Sequence, residues 1–81
     1  MELGERLKIL LQVKGIKQKD FAKEIGVNEC VVSRWVKQMK QPRIKYLTKI
    51  CSCLGITLDV LMGNNPLIDD LLRRYEEGLM K

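Results

Sequence analysis

A glycine–valine–asparagine step at residues 26–28 separates two short amphipathic segments, and it constrains this chain more than any other stretch. Before it, Phe21, Ala22 and Ile25 recur at helical spacing; after it, Val32, Trp35 and Val36 do the same. Gly26 can end the first helix in the left-handed region at no steric cost. Asn28 is a good N-cap for the second. Ala22 has almost no side chain, so the two helices can cross closely. The expectation is a helix from Gln18 to Ile25 and another from Glu29 to Gln38, joined by a tight turn.

The flanks extend the same pattern. Leu3, Leu7, Leu10 and Leu11 form one apolar stripe, widened by Ile9 and Val13, over a first helix from Leu3 to Lys14 that Gly15 stops. Pro42 breaks the chain after the second member of the pair. It restarts as a helix from about Ile44 to Leu54, with Leu47, Ile50, Cys51 and Leu54 facing inward and Gly55 as its stop. Thr57 caps a short helix from Leu58 to Met62 that turns Leu58 and Leu61 to the core. Asn65 and Pro66 open a last helix running to Leu79, with Asp69 and Asp70 in its first turn and Arg73 and Arg74 four residues on. No strand is evident. The expected fold is all-α, with a body over residues 1–65 and a C-terminal helix over 66–81. At 81 residues the core is marginal for a domain standing alone.

Charge points to the partner. The net charge is +5, and from residue 34 to 49 the chain carries Arg34, Lys37, Lys40, Arg43, Lys45 and Lys49 with no acidic residue. The last sixteen residues are nearly balanced. A cationic stretch concentrated around one helix suits a polyanion, most commonly nucleic acid. Three cysteines and no histidine argue against a metal site. Cys51 and Cys53 stand two apart on a helix and point to different faces, and Cys30 lies on another helix. They read as reduced thiols, which together with the lack of an apolar leader or membrane span places the chain in the cytoplasm. Without histidine, a P-loop or metal spacing, an enzyme is not expected. No cofactor or small-molecule ligand is implied.

The stretch from Gln18 to Gln38 resembles the helix-turn-helix of the Cro/CI-type (XRE-like) DNA-binding regulators. Gln18 opens its first helix, Ala22 sits at the crossing, Gly26 in the turn, and Val32 and Trp35 face the core. The resemblance runs from about Leu3 to Gly63 and implies a five-helix lambda-repressor-like body plus the added C-terminal helix. It implies a sequence-specific, duplex-DNA-binding regulator of transcription, a repressor acting as a dimer on a pseudo-palindromic operator. Carried over by position, it implies base reading by Glu29, Cys30, Ser33 and Arg34. Arg34 can fork onto guanine, Glu29 can accept from cytosine, and Cys30 can meet a thymine methyl. Phosphate contacts fall to Gln18 and Lys19 at the opening of their helix and to Lys37, Lys40 and Arg43 beyond the recognition helix, with Lys45 as a further candidate. Lys8, Lys23 and Lys49 read as solvated.

Two positions depart from that family pattern. Where many members pair Arg with Glu between the first and third helices, this chain has Leu11 and Val36, a coherent exchange of a buried ion pair for an aliphatic contact. Where glycine often follows the recognition helix stands Gln38, so a longer helix, reaching Met39 or Lys40, is a possible outcome. The last helix carries Leu67, Ile68, Leu71, Leu72, Tyr75 and Leu79 on one face, which would serve either packing onto its own domain or a homodimer. The competing function is a protein-interaction module, of antitoxin type for example, built on the same fold without DNA contact.

Overall fold

The computed structural model describes residues 1–79, apart from the side chain of Leu79, which lies outside the described residues. Among these, six helices and no strand are found: α1 (Leu3–Lys14), α2 (Gln18–Ile25), α3 (Glu29–Val36), α4 (Ile44–Leu54), α5 (Leu58–Met62) and α6 (Pro66–Leu79). None is long and apolar enough to cross a membrane.

The turn between α2 and α3 forms as the residues require. Gly26 adopts φ 85°, and its N–H and that of Val27 both donate to the Ala22 carbonyl, at 2.9 and 3.0 Å. Asn28 holds the extended N-cap backbone of α3, but its side chain makes no capping hydrogen bond. Capping side chains act further on: Thr57 Oγ1 accepts from the Val60 N–H at 3.3 Å, and Asn65 Oδ1 accepts from the Ile68 N–H at 3.2 Å.

α3 ends at Val36, two residues short of the expected Gln38. The reason is Gln38 itself, which takes φ 61° although it is not glycine. Its N–H donates to the Trp35 carbonyl at 3.1 Å and the Met39 N–H to the Arg34 carbonyl at 2.9 Å, closing the helix as a Schellman turn. Left-handed backbone costs a side-chain-bearing residue ~1–2 kcal/mol. α1 comes close beneath this turn. Gly4 lies under the end of α3, where a Cβ would collide with the Trp35 carbonyl and sit 2.8 Å from Gln38 Cγ.

The core joins Leu7, Leu10 and Leu11 of α1, Phe21 and Ile25 of α2, Val32 and Trp35 of α3, Ile50 and Leu54 of α4, and Leu61 of α5. Leu11 is buried and Val36 half-buried against this cluster, so aliphatics occupy the place of the family's ion pair. The Trp35 ring meets Tyr46 of α4 at a centroid distance of 5.6 Å. Val13 and Leu58, expected inward, are exposed. α5 is barely more than one turn, so Leu61 alone reaches the core, and Leu58 is left with Ile44, Leu47 and Cys51 along a shallow groove.

α6 is not a free tail. Leu72 is buried in the core and Ile68 packs against it. Arg6 of α1, only 4% exposed, ties the helix down. Its Nε donates to Asp69 Oδ1 at 2.6 Å, Nη1 to the Leu61 carbonyl at 3.0 Å, and Nη2 to the Met1 carbonyl at 2.8 Å. Gly63, φ 79°, leaves the room, since a Cβ there would strike the guanidinium. Asp69 therefore serves Arg6, while the expected helical pair forms between Asp70 and Arg74, at 3.1 Å and exposed to solvent.

The hydrogen bond from Arg6 holds the Asp69 carboxyl below the ordinary carboxylate range, against the opposing effect of burial. A depressed folded-state value stabilises the fold above the unfolded value near 4 and is lost as pH falls through the folded one. Asp69→Asn should cost ~3 kcal/mol at neutral pH, because it strands a buried guanidinium. Thermal melts should show the gap between parent and variant closing as pH drops below about 4.

Candidate nucleic-acid interface

The crossing of α2 and α3 decides which side chains face outward. Val32 and Trp35 are buried and lock the rotation of α3 about its axis. Glu29, Cys30 and Arg34 are thereby exposed, and Ser33 is half-buried between them and the body. These are the four expected reading positions, and they share the outer side of one eight-residue helix. Arg34 brings a rigid fork of donors, Ser33 a hydroxyl, Glu29 an acceptor and Cys30 a small apolar surface. The arrangement offers a mixed donor, acceptor and apolar surface, the vocabulary that a major groove presents.

The expected phosphate contacts frame this helix. Gln18 is the first residue of α2 and is half-buried, with Lys19 exposed beside it. Lys37, Lys40 and Arg43 are exposed along the α3–α4 connection, and Lys40 and Arg43 line one cleft. Among the described residues the ion pairs are Arg6–Asp69 and Arg74–Asp70. None of Lys19, Lys37, Lys40 and Arg43 is in an ion pair among the described residues, so their field is directed outward.

The other expected calls sort by burial. Of the six residues assigned to a dimer face, Leu72 is inside its own core and Ile68 is half-buried there. Leu67, Leu71 and Tyr75 remain outward, 77%, 58% and 39% exposed. The Leu79 side chain is outside the described residues. No group of histidine, cysteine or acidic residues among the described ones can hold a metal ion. Burial pushes the Cys51 and Cys53 thiols up, with repulsion from Glu24 adding at Cys53, so both stay protonated at neutral pH.

Sequence reasoning passed over Arg6. It lies three residues before Ile9, on the flank of α1 that the apolar stripe widens into, and that placement was the available signal.

The sequence matches the family profile of the Cro/C1-type helix-turn-helix DNA-binding domain over residues 6–66. Two solved structures share the fold. One is the P22 c2 repressor in complex with synthetic operator 9T, with a TM-score of 0.75 and 23% identity, covering 80% of this chain and 98% of that one. The other is the solution structure of the P22 c2 repressor DNA-binding domain, with a TM-score of 0.72 and 24% identity, covering 75% of this chain and 80% of that one. No curated protein matches the sequence.

The exposed cations should act through counterion release. Lys37→Ala and Lys40→Ala should each weaken binding to every duplex alike and lower the slope of log affinity against log salt by about one. Fluorescence anisotropy titrations between low and physiological salt read this directly. A slope unchanged from the parent would remove the residue from the interface.

Proposed function

The chain belongs to the Cro/C1-type helix-turn-helix DNA-binding domain family, and from that premise we propose that it reads a specific duplex sequence and represses transcription as a homodimer. One observation carries this reading: α3 is held by Val32 and Trp35 so that Glu29, Cys30, Ser33 and Arg34 all face away from the core. A helix of that kind enters the major groove and contacts bases from its exposed side. Arg34 forks onto O6 and N7 of a guanine, a pair worth ~1–3 kcal/mol of discrimination. Gln18, Lys19, Lys37, Lys40 and Arg43 hold the backbone and set the register without reading sequence. The operator complex of the structurally similar P22 c2 repressor supports the same use of the fold here.

Dimerisation follows from the outward stripe of α6. Leu67, Leu71 and Tyr75 recur at i, i+4 and i+8 and stay exposed in the single chain. A two-fold axis would let each stripe meet its own copy and place two recognition helices ~34–36 Å apart on successive major-groove turns. Two copies would double the base contacts, and the operator would be a pseudo-palindrome.

Selection of bound sequences from a random duplex pool tests the reading. The parent should enrich a pseudo-palindrome, and Arg34→Ala should relax one guanine per half-site while leaving the other positions intact. Absence of any enriched sequence would favour a protein-interaction module instead. For assembly, Leu67→Glu with Leu71→Glu should give a monomer that melts as the parent monomer does, because neither side chain is in the core. Sedimentation of that variant as a dimer would move the interface elsewhere. Truncation after Asn65 is a poorer probe, since it also removes Leu72 and Asp69 from the fold.

A further inference from the structure

A cleft of about 200 Å³ opens beside the recognition helix, between α3 and the start of α4. Val27, Val31 and Tyr46, all half-buried, line it from the apolar side. Lys40, Arg43 and Lys45 line it as well, all three exposed, and no carboxylate does. Tyr46 has a particular setting. Its ring rests against Trp35 at 5.6 Å, which fixes it to the core. The Lys45 ammonium lies 5.0 Å from the ring centroid and that of Lys49 lies 5.8 Å from it. The negative face of an aromatic ring attracts such cations and restrains a side chain that would otherwise sample many rotamers.

We propose that Tyr46 is a positioning residue: its ring holds the Lys45 ammonium at this cleft, where Lys40 and Arg43 already face the duplex backbone, so that Lys45 meets the same phosphodiester. The assignment rests on the DNA-binding reading above and adds to it. A nucleic-acid backbone presents an anionic phosphate beside the apolar edge of a deoxyribose. The cleft answers both parts: three cations for the phosphate, and Val27 and Val31 for the sugar. Its Val31 wall is on α3 next to Cys30, so a strand seated there would run along the groove that the reading residues enter. Tyr46 thus converts Lys45 from a mobile surface charge into a fixed contact, which lowers the ordering cost on binding.

The test uses the full chain and the duplex obtained by selection, with each phosphate replaced in turn by a neutral methylphosphonate. One position per half-site should weaken the parent, and weaken Lys45→Ala less, because Lys40 and Arg43 still face that phosphate. Lys45→Ala should lower the salt slope by at most about 0.9, the share of one phosphate. Tyr46→Leu should lower it by a similar amount, Tyr46→Phe should keep the parental slope because it keeps the ring, and Lys45→Ala added to Tyr46→Leu should bring no further loss. Thermal melts of each variant separate loss of fold from loss of contact, and Tyr46→Phe with Lys45→Ala serve as the folded pair if Tyr46→Leu melts early. If no single phosphate distinguishes the parent from Lys45→Ala, while Lys37→Ala and Arg34→Ala still lose affinity, the seat is refuted and the DNA-binding reading stands. If Tyr46→Phe binds as poorly as Lys45→Ala, the ring does not position the lysine. If the parent binds no duplex, both readings fall together.

Discussion

One buried guanidinium holds three parts of this chain in register. Arg6 leaves α1 and bonds the carbonyl of Leu61 at the end of α5, the carboxylate of Asp69 in α6 and the carbonyl of Met1. A charge taken so far out of water is tolerable only when its donors are engaged, and no buried side-chain polar atom among the described residues lacks a partner. The geometry demanded of its surroundings is strict. Gly63 must lack a Cβ, α5 must end where it does, and Asp69 must stand in the first turn of α6. α1 carries this constraint on one side and supports the end of α3 on the other, through the close approach at Gly4. The positions of α3 and α6 are therefore set by the same element.

Most of the architecture was legible because it rests on local rules. Gly26, Gly55 and Gly63 end helices in the left-handed region that glycine enters without steric cost, Thr57 and Asn65 cap by side-chain oxygens, and 3.6-residue periodicity marks the buried faces. Five of the six helices keep their expected bounds for these reasons. Where expectation failed, a contact distant in sequence prevailed. Gln38 turns left-handed at a Schellman end close to α1, a conformation that its own side chain disfavours and that its residue type does not announce. Asp69 abandons its neighbour four residues on for an arginine sixty-three residues earlier. The apolar face of α6 was read as one surface, yet packing divides it: Ile68 and Leu72 turn in, while Leu67, Leu71 and Tyr75 stay out. A periodic pattern gives the width of a face but not how much of it a neighbour covers.

The outward positions of α3 were legible by a different route. Positions on the outer side of α3 follow from which residues face inward, so burial of Val32 and Trp35 exposes Glu29, Cys30 and Arg34 by geometry alone. What each of them contacts depends on the duplex. The charge distribution is a statement about approach: unpaired cations flank the helix, and the ion pairs of the described residues involve only Arg6, Arg74 and their aspartates, none of them assigned to the interface. In the proposed reading, attraction to the backbone and recognition of bases fall to separate sets of side chains.

The left-handed turn at Gln38 has a consequence for the energetics of encounter. Lys37, Lys40 and Arg43 sit on the connection that this turn starts, and Pro42 restricts its far end. A glycine at the turn would leave that connection more ways to move in the unfolded chain and in fluctuations of the folded one. With glutamine the loss of freedom occurs when the domain folds. The cations are then presented on a preformed arm, so that meeting a duplex requires little further ordering of the backbone. Association can be fast and governed by the field, because the conformational search was completed before the partner arrived.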